Sequence, residues 1–102
     1  YGVELFDVSD PLHPTAAGKY PLVTGYRDDV FGQGSYAYVA NYDGRGHLII
    51  LNVSDPAHPQ KVGELVTPGQ SKRVFVVGHY AYVADGDAGL RVINVSNPAA
   101  PA

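Results

Sequence analysis

One eight-residue phrase occurs three times in this chain of 102 residues, and its spacing limits the folds that the chain can adopt. The phrase reads DVSDPLHP at residues 7–14, NVSDPAHP at residues 52–59 and NVSNPAAP at residues 94–101. The copies start 45 and 42 residues apart, and a second phrase, SYAYVAN at residues 35–41, recurs as HYAYVAD after a step of 44. Two separate phrases with nearly the same period indicate a tandem repeat, whose units must stack on one another to bury a continuous core.

Each period contains four segments with the composition of short strands. These segments are rich in Val, Ile and Tyr and are bounded by Gly, Pro, Asn and Asp: KRVFVV (72–77), YAYVA (80–84), LRVINV (90–95) and, from the preceding copy, KVGELVT (61–67). The continuously apolar runs VFVV and LIIL predict strands covered on both faces, whereas the charges of KVGELVT suit an outer edge. The 12 glycines and 8 prolines would interrupt any helical pattern. Stacked four-stranded antiparallel meanders of this length predict an all-β, β-propeller-like fold.

The repeat divides the chain unevenly. We predict a single repeat region over residues 1–102, with a partial repeat at 1–25, a full repeat at 26–69 and a partial repeat at 70–102, or about two blades plus a partial one. The chain then opens on a third strand (2–8) and a fourth (about 17–23), and it ends after a third. Both end sheets would have an uncovered apolar face, and exposed sheet edges recruit other chains. We therefore expect identical copies, in a closed ring or a filament of stacked sheets, or further blades of a longer chain, to cover them.

The strand copies resemble those of a known family, the LVIVD repeat, which is named for its Leu-Val-Ile-Val-Asp strand. The copies here are GVELFDVSDP, HLIILNVSDP and GLRVINVSNP, the last preceded by AYVADG, and the resemblance covers essentially the whole chain. It implies a β-propeller-like arrangement and a bacterial or archaeal protein of the cell surface or the extracellular space. It implies no catalytic residues, because the motif consists of strand and turn positions.

The acidic glycine loops are the best candidates for a ligand site. DGDAG at residues 85–89 places the carboxylates of Asp85 and Asp87 two residues apart, and Asn41 and Asp43 supply oxygens in the equivalent loop. Because calcium takes about six to eight oxygen ligands, these four residues predict a calcium site. The alternative is that Asp-Gly only provides the positive φ that a hairpin turn requires.

Composition and motifs argue against several other kinds of site. The net charge is −3 and the longest basic run is Lys72-Arg73, so nucleic acid is not an expected partner. No apolar stretch approaches the roughly 20 residues of a membrane helix, so no membrane insertion is expected. His13 and His58 share a place that Ala100 fills in the third copy, while His47 matches Gly89 and His79 matches Ser35. No histidine position is kept in all the repeats, so we expect all four to be exposed turn residues and not a repeated metal site.

Catalysis is not expected either. The sequence has no G-x-S-x-G elbow, and its three equivalent serines (Ser9, Ser54, Ser96) follow the Asp or Asn of a strand-ending Asx turn. The expected function is that of a non-catalytic structural or interaction protein of the cell exterior, self-associating through its repeats and stabilised by calcium. Two alternatives stay open. One is a propeller-type carbohydrate- or peptide-binding module, for which tyrosine pairs such as Tyr80 and Tyr82 could form an aromatic shelf; the other is part of a larger enzyme.

Overall fold

A computed structural model of the chain describes residues 2–22 and 27–102. Within these ranges the chain forms nine β-strands and one short 3-10 turn at Gly86–Ala88. The strands are β1 (Gly2–Asp7), β2 (Thr15–Pro21), β3 (Arg27–Gln33), β4 (Tyr36–Tyr42), β5 (Gly46–Asn52), β6 (Gln60–Thr67), β7 (Arg73–Val77), β8 (Tyr80–Ala84) and β9 (Leu90–Asn94). In the part of the chain described, no helix is long and apolar enough to cross a membrane.

The described strands form three antiparallel sheets that follow one another along the chain. Sheet 1 is β1-β2, sheet 2 is β3-β4-β5-β6 and sheet 3 is β7-β8-β9, and neighbouring strands in each sheet are consecutive in sequence. This arrangement confirms the all-β prediction and the four-stranded meander of the full repeat. The predicted boundary between the first two repeats, at residues 25 and 26, lies outside the described residues.

The sequence repeat is also a structural repeat. A β-bulge lies between Leu5 and Phe6 of β1, and a second bulge lies between Ile50 and Leu51 at the equivalent position of β5. The turns before β4 and β8 place Gly34 and Gly78 at φ of 61° and 56°. This left-handed conformation strongly favours glycine, so one turn geometry serves both repeats.

The strand ends differ from the predicted ones by one or two residues. β2 begins at Thr15 and not near residue 17, and the strands predicted to run to Val8 and Val95 end one residue earlier. They end there because the Oδ1 atoms of Asp7 and Asn94 each accept a hydrogen bond of 2.9 Å from the backbone N–H two residues later. Asn52 makes the same bond at the end of β5, which confirms the predicted Asx turns.

Sheet 2 is covered on both faces. One face contributes Tyr38, Ala40, Leu48 and Ile50 to a core shared with sheet 3, whose members there are Val74, Val76, Ala81, Val83, Ile93 and Val95. The other face contributes Ala37, Val39, Ile49 and Leu51, which pack against Val3, Tyr20 and Leu22 of sheet 1. The run LIIL is therefore buried throughout, as its continuous apolar character predicts.

The equally apolar run VFVV was predicted to be covered on both faces, and this prediction is wrong. Val74 and Val76 are buried against sheet 2, whereas Phe75 and Val77 alternate with them along β7 and are each 55% exposed. The Phe75 ring still touches sheet 2 at its border, since its centroid lies 4.9 Å from that of Phe31. The reason is that, among the described residues, sheet 3 has a neighbour on one side only. An apolar strand is covered twice only where a sheet lies on each side of it.

Glycines in the fourth strands let each repeat approach the next closely. A β-carbon at Gly18 of β2 would overlap with the carbonyl oxygen of Pro56, and one at Gly63 of β6 would overlap with that of Pro98. Gly18 and Gly63 are 45 residues apart, and Pro56 and Pro98 are equivalent residues of the repeated turn. The turns that follow β5 and β9 thus pack directly against the fourth-strand glycine of the preceding sheet.

Candidate functional site

A buried carboxylate connects sheet 2 to sheet 3. Asp85 directly follows β8 and is completely buried. Its Oδ1 accepts hydrogen bonds from the Thr67 hydroxyl (2.6 Å) and the Ser71 hydroxyl (3.2 Å), and its Oδ2 accepts one from the backbone N–H of Gly69 (3.0 Å). All three donors belong to the end of β6 and the segment that leads to β7. Hydrogen bonds to an ionised acceptor are strong, so this group holds the connection between the sheets in one conformation.

The four predicted calcium ligands occupy different environments. Asn41 is buried at the end of β4, Asp43 and Asp87 are exposed in turns, and both oxygens of Asp85 already accept hydrogen bonds within the protein. Asp43 Oδ1 accepts a hydrogen bond of 3.2 Å from the backbone N–H of Arg45. Among the described residues, no group of three or more His, Cys, Asp or Glu side chains is placed to hold a metal ion. Calcium binding by these residues stays a prediction.

The turn interpretation of the acidic loops has direct geometric support. Gly86 and Gly89 have φ of 58° and 82°, and Gly44 in the equivalent loop has φ of 103°. The backbone N–H of Asp85 donates to the carbonyl of Gly89 (2.8 Å), which closes the loop without a ligand. The Asp-Gly sequences therefore supply the positive φ that these turns require.

The histidines do not all lie in exposed turns as predicted. His13, His58 and His79 do, and the first two lie 3.0 Å from the carboxylates of Asp10 and Asp55 in the same turn. His47 does not, because it lies inside β5 and its side chain is only 13% exposed. The prediction is wrong for His47 because the loop before it is longer than the equivalent loop before Gly89. His47 therefore lies within strand β5 and not in the turn.

His47 lies between two carboxylates in a small cleft between sheets 1 and 2. Its Nε2 is 3.2 Å from Asp43 Oδ1, and its Nδ1 is 2.7 Å from Glu64 Oε2, an ion-pair distance without the alignment of a hydrogen bond. The ladder explains this, since His47 pairs with Val66 and Glu64 is therefore its diagonal neighbour on β6. No sequence pattern predicts this cluster, because only the β5–β6 register brings these residues together.

Lys61 completes this cluster. Its Nζ donates a hydrogen bond of 2.8 Å to Glu64 Oε1. This bond lowers the pKa of Glu64 and raises the pKa of Lys61 from their ordinary values. The cluster is a polar network at the side of sheet 2, and its contacts hold these side chains in one arrangement.

A polar cleft lies between the loop that joins β4 to β5 and the 3-10 turn of sheet 3. Its lining includes Tyr42, Arg45, Gln70 and Asp87. The alternative of a carbohydrate- or peptide-binding module stays a prediction.

A broad apolar surface covers the side of sheet 3 that faces away from sheet 2. We call it the trailing face of sheet 3, and its large side chains, each 47% to 67% exposed, are Val77, Tyr80, Leu90 and Val92. Phe75 borders this surface, and its ring contacts that of Phe31 on β3 with 4.9 Å between the ring centroids. The equivalent strand positions of sheet 2 include Leu48 and Ile50, which are fully buried under sheet 3. The same pattern of residues is thus an interior interface in one repeat and an open surface in the next.

The inner strands of sheets 2 and 3 are joined by polar contacts as well. Asp29 Oδ2 accepts a hydrogen bond of 3.0 Å from the backbone N–H of Val74, and the Gln33 side chain donates one of 3.0 Å to the carbonyl of Gly78. These bonds fasten β7 to β3 near both of its ends. In sheet 3 the residues equivalent to Asp29 and Gln33 are Arg73 and Val77. Between the described sheets, this pair of hydrogen bonds therefore occurs once.

Comparison with known proteins agrees with this repeat architecture. The sequence pattern of the LVIVD repeat matches residues 24–67 and again residues 68–102. A search of curated proteins finds no match to the chain. The two matched segments correspond to sheet 2 and sheet 3 with their connecting turns, and together they span most of the sequence. The chain therefore belongs to the LVIVD repeat family, whose repeats are of the propeller type.

Proposed function

We propose that this chain is a non-catalytic structural or interaction protein of the cell surface or extracellular space, which associates through its β-repeats. The observation that carries the proposal is the open trailing face of sheet 3, whose equivalent in sheet 2 is buried by the next repeat. Its partner is either an identical copy or a further blade of the same kind. The location follows what the resemblance to LVIVD proteins implies.

The exposed side chains make an unpartnered state unfavourable. Burying one large apolar side chain stabilises a structure by about 1.5–3 kcal/mol, and contiguous apolar patches beyond a few hundred Å² are unusual on monomers. The register places Val92 beside Tyr82 and Val77 beside Tyr80, so apolar side chains of β7, β8 and β9 are neighbours on one surface. Association through this surface removes it from water in the way that sheet 3 already covers sheet 2.

The non-catalytic part of the proposal is supported by the roles of the polar side chains. The hydroxyls of Ser54 and Ser96 donate hydrogen bonds of 2.7 Å to Asn52 and Asn94, which is the bonding expected of turn residues. Asp85 is used inside the connection between sheets 2 and 3. The repeated positions of the chain thus serve its architecture.

Association is tested by sedimentation velocity of the chain from sub-micromolar to about 50 micromolar concentration, across the range where interfaces of moderate size associate. We expect species larger than the 10.8 kDa monomer. Leu90→Glu should shift the distribution to monomer because it places a charge on the apolar surface, at its most exposed large side chain. Gln60→Glu adds the same charge at an exposed position of β6 and should sediment as the wild type. A wild-type chain that is folded and strictly monomeric over this range would contradict the proposal.

Calcium stabilisation is the second property to test. If the loops containing Asp85, Asp87, Asn41 and Asp43 bind calcium, millimolar calcium should raise the melting temperature and EDTA should lower it, because a ligand bound only by the native state stabilises that state. The informative variant is Asp87→Asn, which changes an exposed carboxylate and leaves Asp85 intact. Equal melting temperatures in calcium and EDTA, or the same shift in Asp87→Asn as in the wild type, would exclude this site.

A further inference from the structure

Sheet 1 presents a second apolar surface at the opposite end of the repeat array. We call it the leading face of sheet 1, and its exposed side chains are Phe6 (54%) and Val8 (63%). The repeat makes Phe6 equivalent to Ile93 and Val8 equivalent to Val95. In sheet 3 these two equivalents are buried, at 2% and 4% exposure, in the core shared with sheet 2. The face of sheet 2 that contributes to this core contains Leu48 and Ile50, and we call it the trailing face of sheet 2. The leading face of sheet 1 therefore contains two of the six residue positions with which sheet 3 covers sheet 2.

We propose that the leading face of sheet 1 in one copy docks on the trailing face of sheet 3 in a second copy, so that copies associate head to tail. This inference rests on the proposed function, because it specifies the surfaces through which the chain self-associates. In the interface between sheets 2 and 3, the face of sheet 3 that contains Ile93 and Val95 is the leading face, and it packs on the trailing face of sheet 2. The interface between sheets 1 and 2 has the same direction, with Ile49 and Leu51 of the leading side facing Val3 of sheet 1. A head-to-tail contact between copies continues this established interface, whereas two trailing faces have no such precedent in the chain.

The inner strand of sheet 3 indicates how much of the trailing face a second copy covers. In the described residues sheet 1 consists of β1 and β2 only, and it leaves Val30 of β3 51% exposed while it covers β4 and β5 of sheet 2. Correspondingly, β7 lacks the Asp29 and Gln33 equivalents that fasten one inner strand to the next. A docked sheet 1 should thus cover Leu90 and Val92 on β9 and leave Val77 on β7 outside the contact.

The test uses one charged variant on each face, Phe6→Glu and Leu90→Glu. Both positions are exposed in the single chain, so far-UV circular dichroism should show that both variants stay folded. Each variant alone should dissociate at concentrations where the wild type assembles, with an affinity weaker by about 30-fold or more, as expected for an interface hot spot. Mixing the two in equal amounts should restore association up to a dimer and no further, because each mixed pair retains one intact leading face and one intact trailing face. Val77→Glu is the matched control on the same sheet and should assemble like the wild type.

The alternatives give different results. If two trailing faces pair with each other, Phe6→Glu assembles like the wild type and the mixture forms no heterodimer, which overturns the head-to-tail inference and leaves self-association standing. If both variants assemble as the wild type does, neither face is the interface and the inference is wrong in the same way. A monomeric wild type would overturn the proposed function together with this inference. Dimers formed only in the mixture support head-to-tail docking.

Discussion

Replacing Asp85 with alanine should lower the free energy of unfolding by about 4 kcal/mol, since the buried hydroxyls of Thr67 and Ser71 and the N–H of Gly69 would lose a charged acceptor. This is a large fraction of the roughly 5–15 kcal/mol that stabilises a typical domain. Urea denaturation followed by circular dichroism measures it. Because self-association also stabilises the folded state, wild type and variant must be compared at one protein concentration.

Two further substitutions separate the buried acceptor from the loop that contains it. Asp87→Ala removes an exposed carboxylate two residues later and should change the stability by about 0.5 kcal/mol or less. Asp85→Asn keeps one oxygen for the two hydroxyls but turns an amide N–H₂ toward the N–H of Gly69, so its cost should be intermediate. If Asp85→Ala and Asp87→Ala prove equally mild, the network around Asp85 does not hold sheets 2 and 3 together.

Replacing Gly63 with alanine should cost about 3 kcal/mol, the upper part of the range for inserting a methyl group into a closely packed site. The new β-carbon would overlap with the carbonyl oxygen of Pro98 and approach the ring of Pro101, and neither group can turn away as a flexible side chain could. The turn at residues 97–101 would have to move off β6, which separates sheet 3 from the outer strand of sheet 2. A shift in the urea midpoint with an unchanged slope is the expected observation.

Gly32→Ala is the matched control for this substitution. Gly32 also lies in a strand of sheet 2, but nothing is within 4 Å of a β-carbon placed there. Alanine at such a position should be neutral or stabilise by up to about 1 kcal/mol, because it reduces the freedom of the unfolded chain. Equal destabilisation by both substitutions would mean that strand glycines matter for a general backbone reason and not for the seating of the turn.

Sequence analysis predicted the parts of this fold that depend on local chemistry. The repeated Asp or Asn at positions 7, 52 and 94 ends each third strand because its side chain bonds to the backbone two residues later. The Gly78 turn between β7 and β8 follows from glycine's tolerance of positive φ. Strand order also follows, since consecutive antiparallel strands joined by short turns pair with their neighbours.

Predictions failed or were missing where the answer depends on what lies opposite a residue. VFVV and LIIL have the same apolar character, yet LIIL is buried on both faces and VFVV on only one. His47 was assigned to an exposed turn, but the register between β5 and β6 places it beside Glu64. The hydrogen bonds that the Asp85 carboxylate accepts from Thr67, Ser71 and Gly69 were not predicted, because only the contact between sheets 2 and 3 brings these residues together.

The sequence alone determined the repeat, its four-strand period and its turns, because these depend on backbone preferences that each residue has regardless of distant neighbours. Only the tertiary structure decided which faces are covered, which charges are paired and which glycines are indispensable. Gly63 shows the reason most directly, since its need for glycine arises not from its own φ but from the Pro98 carbonyl 35 residues further along the chain. Contacts between sheets are set by the stacking of whole repeats, and the residues that meet there have no local pattern that announces the contact.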